Sequence, residues 1–209
     1  MRNRTENQMK RQIDFFLVRH GLTLANEEHR YLGKTDEPLS ERGICEIRRK
    51  AVYFSKNMPE LVFTSPMQRC MQSARILFPD VNIVEISQWS EIDFGIFEYK
   101  THAQLDGNPR YQAWIDSGGT IPFPDGESRE EFVLRCAQGM EQAMKILCQS
   151  EFNGITKVAA VVHGGTIMAL LSSYCGGDYF DYQVENADGY HVGLFFDSVK
   201  QGKGIEIKL

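Results

Sequence analysis

Nowhere in the chain do apolar residues approach the run of ~18 that a membrane-crossing helix needs, so no membrane association is expected. Positive charge is not in excess. Lys and Arg number 23 against 28 Asp and Glu, a formal net charge of −5. General nucleic-acid binding wants a basic face, so no nucleic-acid partner is expected. Cysteines are few and scattered at Cys45, Cys70, Cys136, Cys148 and Cys175. None belongs to a C-x-x-C pair and the number is odd, which argues against a disulfide framework or a zinc site. None is followed by the glycine-rich loop and arginine that a cysteine phosphatase requires, so all five read as packing residues. The stretch Met1 to Gln12 is polar and basic and has no apolar core. It reads as a flexible extension rather than a secretory signal. Together with reduced thiols, this implies a cytoplasmic location. There are no internal repeats, low-complexity tracts or dividing linkers, so residues 13–209 are expected to form one domain.

One short phrase occurs twice. Phe15 to Gly21 reads FFLVRHG, and Val158 to Thr166 reads VAAVVHGGT. Each is an apolar run ending in histidine and glycine. Such runs suit strands buried on both faces of a parallel sheet. Glycine after the run permits a sharp turn and close approach to a ligand. Ligands of open α/β sheets bind beyond the carboxyl ends of the strands. The two imidazoles, His20 and His163, are therefore expected side by side at one sheet edge.

The rest of the chain alternates strands and helices. Strands are expected at Ile13–Val18, Leu61–Phe63, Val81–Glu85, Thr156–Val162, Tyr190–Asp197 and Ile205–Leu209. Helices are expected at Leu39–Asn57, capped by Ser40, and from Pro66 to Phe78, capped by Ser65. Two more are expected at Glu127–Ser150 and Thr166–Tyr174. This pattern predicts an α/β fold, a three-layer α/β/α sandwich around a mainly parallel sheet. It breaks between Ser90 and Gly126, a stretch rich in aromatics that holds Pro109, Pro122 and Pro124. Two short helices are expected there, around Thr101–Leu105 and Pro109–Ser117. Residues 92–124 read either as packing beneath a long loop or as a lid-like insertion that sets specificity.

Arg19-His20-Gly21 alone reads as a surface Arg–His pair. Its neighbours change that. Arginine offers a planar fork of donors for phosphate oxygens. Asn26, a neutral donor suited to phosphate, and Gly33 follow at short spacing. A metal at His20 and His163 is disfavoured, because no carboxylate or third histidine shares a motif with them. His29, His102 and His191 read as surface or satisfied groups, although His29 lies between Asn26 and Gly33.

Leu17 to Gly43, LVRHGLTLANEEHRYLGKTDEPLSERG, resembles the opening signature of the histidine phosphatase superfamily, the phosphoglycerate-mutase-like fold. Four further elements follow in that family's order. Thr64 to Arg69 resembles S-P-x-x-R, Glu91 to Gly95 resembles E-x-x-F-G, Pro124 to Ser128 resembles P-x-G-E-S, and His163 to Thr166 resembles the second histidine motif. The match spans about Ile13 to Tyr174. The resemblance implies that His20 is a nucleophile forming a phosphohistidine. Arg19, Arg69, His163 and Asn26 would surround the phosphoryl oxygens, with Gly33 and Gly164 in the binding set. Glu91 would be the general acid and then the base. Asp93 and Glu98, its neighbours, read as solvated or structural carboxylates. No metal and no cofactor is implied. The partner implied is a small-molecule phosphate ester, and a homodimer is compatible with the reading.

The chain departs from mutases of this family. They carry a longer, basic insertion after the acid, a tryptophan where Ala25 stands and a hydroxyl residue where Leu32 stands. The cations of the Phe94–Phe123 stretch are only Lys100 and Arg110. A phosphatase resembling α-ribazole-phosphate phosphatases or broad-specificity phosphomonoesterases is therefore favoured. A cofactor-dependent phosphoglycerate mutase and a non-catalytic phosphate-binding regulator are the alternatives. Many phosphatases of the family have Glu-Gly where Glu98-Tyr99 occurs here, a change expected to bear on the lid.

Overall fold

The structure is a computed structural model that describes residues 10–197 and 203–209. Six strands form one sheet in the order β3-β2-β4-β1-β5-β6. They are β1 (Lys10–Arg19), β2 (Leu61–Thr64), β3 (Ile83–Glu85), β4 (Lys157–Val162), β5 (Gly189–Asp197) and β6 (Lys203–Lys208). The first four run parallel, and β5 pairs antiparallel with both β1 and β6. The expected mainly parallel sheet is what forms.

β1 explains the layering. Its side chains alternate between the two sheet faces. Ile13, Phe15 and Leu17 enter one core with Phe63, Phe132 and Met140. Phe16 and Val18 enter another with Ile47, Phe54 and Leu77. Helices α2 (Glu41–Phe54) and α3 (Gln68–Leu77) cover the second face. Helices α6 (Arg129–Leu147) and α7 (Gly164–Cys175) cover the first. Short helices α1 (Leu24–Glu27), α4 (His102–Leu105) and α5 (Pro109–Asp116) lie in the connections. Both sheet faces are thus buried, which is why β4 carries apolar residues without alternation.

Several boundaries differ from expectation for local reasons. β1 begins at Lys10, so residues 10–12 belong to the sheet rather than to an extension. Arg11 anchors this start by donating to the carbonyls of Leu147, Phe152 and Ile155. Met1 to Met9, the rest of the expected extension, lie outside the described residues. Ser40 caps α2 as expected, accepting from Gly43 N. Ser65 does not cap α3. That helix starts at Gln68, with Met67 at the cap position and no side-chain cap. The Ser65 hydroxyl is drawn instead to His163. α1 was not anticipated, being a single turn closed by a capping box between Thr23 and Asn26.

Candidate active site

Parallel pairing sets the site. Arg19 at the end of β1 lies opposite Val162 at the end of β4. One residue further along each strand come His20 and His163, with ring centroids 5.2 Å apart. Both are buried. The backbone leaves β1 through Gly21, where a Cβ would sit 2.6 Å from Ile47 Cγ1. His163 occupies the cap position of α7, so the helix N-terminus opens at the site. Unpaired N–H groups and the helix dipole favour an anion there. Gly164 and Gly165 form that first turn. A Cβ on Gly165 would meet Glu91 Oε1 at 2.6 Å.

Hydrogen bonds fix the tautomer of His20. Its Nδ1 is 2.7 Å from the Gly21 carbonyl oxygen. A carbonyl only accepts, so Nδ1 carries the proton and Nε2 keeps its lone pair. Burial lowers the His20 pKa well below its ordinary value, with Arg69 and Arg19 adding to the effect. The ring is neutral near pH 7, as a nucleophile must be. His163 is lowered likewise, by burial first and then by Arg69, His20 and Arg19. Ser65 Oγ lies 2.8 Å from His163 Nε2 and accepts from Met67 N at 3.4 Å. Its hydroxyl proton can therefore go to Nε2, leaving an N–H at Nδ1. That nitrogen is 4.0 Å from Glu91 Oε2. A neutral His163 thus still donates.

The two arginines are held from behind. Arg19 donates through Nη1 to Val184 O at 2.7 Å. Arg69 donates to Thr35 O at 2.9 Å and to Gly33 O at 2.8 Å. Arg19 Nε and Arg69 Nε are buried without a partner among the described residues, so donors remain for an oxyanion. Gly33 is required by close approach: a Cβ there would lie 2.0 Å from Ile92 O. Asn26 uses its carbonyl internally, accepting from Thr23 N at 3.2 Å and Asn186 Nδ2 at 3.3 Å. Its amide N–H2 is left over for a ligand.

Glu91 follows the turn at Ser87–Trp89 and accepts from Ile92 N at 3.0 Å. Burial raises its pKa above the ordinary carboxyl range, against Ile92 N, Arg69 and Arg19, which pull it down. Desolvation wins, as it must for an acid that holds its proton. Asp93 is engaged elsewhere, with Lys34 at 2.8 Å. Among the described residues no group of three or more His, Cys, Asp or Glu side chains is arranged to hold a metal.

A cavity of about 490 Å³ opens beside these groups. Arg19, Asn26, Glu91 and Gly164 line its floor, and Tyr31, Phe94, Trp114, Phe123 and Tyr179 line its walls. The rings brace one another, Phe94 edge-on to Phe123 at 4.9 Å and Trp114 stacked on Phe123 at 4.9 Å. Lys100 and Arg110 are not in the lining. Arg110 pairs with Asp125 instead, and the cations of the wall are Arg30 and Arg129. His29 is exposed and lies in an adjoining cleft with Asn26. His102 bonds Tyr111 Oη at 2.8 Å, and His191 stacks on Phe16 at 4.2 Å.

Sequence reasoning missed Ser65, Cys70, Gly165 and Asn186. Cys70 Sγ lies 3.6 Å from His163 Nε2. Asn186 donates to the His20 carbonyl at 3.1 Å. Ser65 and Gly165 stand within motifs, Ser65 having been read as a helix cap; Asn186 sits in a connection with no local signal.

The chain belongs to the histidine phosphatase superfamily, branch 1, whose sequence profile matches residues 15–193. The coarse chemistry of that family, phosphatase or mutase, is therefore that of this chain. It is similar to the uncharacterized phosphatase PhoE of Bacillus subtilis, at 30% identity over 78% of this chain and 77% of that one. It is also 30% identical to 2,3-bisphosphoglycerate-dependent phosphoglycerate mutase 2 of Gloeobacter violaceus, over 74% and 72% of the two chains. The crystal structure of the α-ribazole phosphatase from Shigella flexneri superposes with a TM-score of 0.76 over 94% of both chains, at 21% identity. No helix among the described residues is long and apolar enough to cross a membrane.

Proposed function

We propose that the protein hydrolyses small phosphomonoesters through a phosphohistidine on His20. One observation supports this most directly: a buried, neutral His20 whose Nδ1 is tied to the Gly21 carbonyl, with Arg19, Arg69, His163 and Glu91 around it. The lone pair on His20 Nε2 attacks phosphorus and the ester P–O bond breaks. Glu91 gives its proton to the departing alkoxide. Arg19, Arg69, the Asn26 amide, His163 Nδ1–H and the Gly164 N–H stabilise the phosphoryl oxygens. Gly33 contributes through its carbonyl, which orients Arg69. A water then attacks, returns a proton to Glu91, and the N–P bond breaks to release phosphate.

The aromatic walls favour a leaving group with an apolar or flat face, in a cavity large enough for a small metabolite. Residues 92–124 act as the lid over it. No metal or cofactor takes part, because two guanidiniums supply the positive charge. An α-ribazole phosphate and simple aryl or sugar phosphates are the first substrates to try. The test is rapid quench of the purified protein with a panel of monoesters in a chelator. Acid-labile, base-stable phosphate on the chain, absent in His20→Ala, together with net phosphate release, is expected. Interconversion of 2- and 3-phosphoglycerate with little free phosphate would make the enzyme a mutase, and trapping on serine or cysteine would defeat the mechanism.

A further inference from the structure

Arg69 is bonded to a loop whose backbone is also bonded by a carboxylate. Glu98 Oε1 accepts from Gly33 N at 2.9 Å and from Thr35 N at 2.9 Å. The carbonyls of those same two residues accept from Arg69 Nη2 at 2.8 Å and Nη1 at 2.9 Å. The strip Gly33–Thr35 is thus clamped between a carboxylate on one side and a guanidinium on the other. A Cβ on Gly33 would also lie 2.9 Å from Glu98 Oε2, so carboxylate and strip are in close contact. Glu98 lines no part of the substrate cavity. Its backbone is held too: the next residue, Tyr99, adopts φ 61° and bonds Tyr31 O at 2.7 Å.

We propose that Glu98 is a positioning residue that sets the Arg69 guanidinium for phosphoryl binding through the Gly33 and Thr35 peptides. The inference rests on the phosphoryl-transfer reading of the site. A carboxylate accepting two backbone N–H bonds polarises both peptides, which strengthens their carbonyls as acceptors. Their acceptance from Arg69 leaves the guanidinium one orientation. Misplacing a catalytic group by about 1 Å costs up to ~10²-fold in rate.

The test uses Glu98→Met, which keeps the volume and removes the acceptor, and Glu98→Gln, which keeps one acceptor oxygen. Inorganic phosphate affinity is measured by calorimetry, and kcat and KM on a poor and an activated ester. Glu98→Met should weaken phosphate binding and lower kcat/KM by roughly 10- to 100-fold, equally on both esters. Glu98→Gln should recover most of both. In an Arg69→Ala background the Met substitution should add little further loss, because groups acting through one contact are not additive. Independent, multiplicative losses would overturn the proposal. So would a loss confined to the poor leaving group, which would make Glu98 an acid. If the Met variant does not fold, Glu98→Asp withdraws the oxygen and keeps the charge, and should show the same loss of phosphate affinity. Absence of phosphate binding by the wild-type protein would defeat the phosphoryl-transfer reading itself. A wild type that binds phosphate beside a Glu98→Met variant that binds it equally well would defeat only this proposal.

Discussion

Burying two uncharged imidazoles should make the fold sensitive to mild acid. Free histidine protonates near pH 6.5. In the folded protein both His20 and His163 are held well below that by burial and by Arg69. The unfolded chain therefore binds protons between those two limits while the folded chain does not. Stability is retained above about pH 6.5 and lost as pH falls toward the folded-state values. Each suppressed protonation costs about 1.4 kcal/mol per pH unit below 6.5. Between pH 7 and pH 5.5 the pair should cost about 2–3 kcal/mol, beyond whatever the carboxylates contribute. The assay is urea denaturation at both pH values for wild type, His20→Asn, His163→Asn and the double variant. The histidine share of the loss should fall by about half in each single variant and nearly vanish in the double, leaving what the carboxylates contribute. Only the change with pH matters, since asparagine alters absolute stability for its own reasons. An identical loss in all four proteins would show that the histidines titrate normally in the fold, and the neutral-nucleophile argument would fail with it.

Three other perturbations have defined outcomes. Glu91→Gln should slow esters with poor leaving groups by ~10²–10⁴-fold and spare an activated aryl ester. Because burial raises Glu91, the basic limb of the kcat/KM profile should lie above the ordinary carboxyl range and disappear in that variant; an unchanged basic limb would assign it to another group. Gly33→Ala places a Cβ 2.0 Å from Ile92 O and should cost about 1–3 kcal/mol in chemical denaturation along with phosphate affinity; wild-type values for both would show that the strip yields easily. Ser65→Ala removes the partner of His163 Nε2 and should weaken inorganic phosphate binding with little change in thermal stability, read by calorimetry and a melting scan.

The sheet was legible because burial on both faces leaves uninterrupted apolar runs, as in Val158 to Val162. The histidine positions were legible because each closes an apolar strand run just before a glycine, which close packing demands at Gly21. The placement of α3 was not. Ser65-Pro66 looks like a cap and first turn, but the helix starts at Gln68 and the Ser65 hydroxyl lies against His163. That contact is with a residue remote in sequence. Tyr99 shows the same limit: it adopts a left-handed φ of 61° that glycine takes more readily, yet nothing local announces that Arg30 would stack over its ring at 5.1 Å and bond its carbonyl. Asn186 and Glu98 act through backbone groups, and a backbone partner leaves no mark on the sequence that contacts it.

The pairing of β1 with β4 ties function to the order in which the chain is made. His20 is synthesised early and His163 late, and no neighbouring segment can stand in for the missing strand. Parallel contacts between such distant segments form only after a large entropic cost of loop closure has been met. A nascent or partly folded chain therefore has one imidazole and half of the proposed phosphate site. On that proposal phosphate binds the finished molecule and not its precursors, so it should stabilise the native state by the full RT ln(1 + [L]/Kd). Anion binding, measured during refolding, becomes a clock for the last step of assembly.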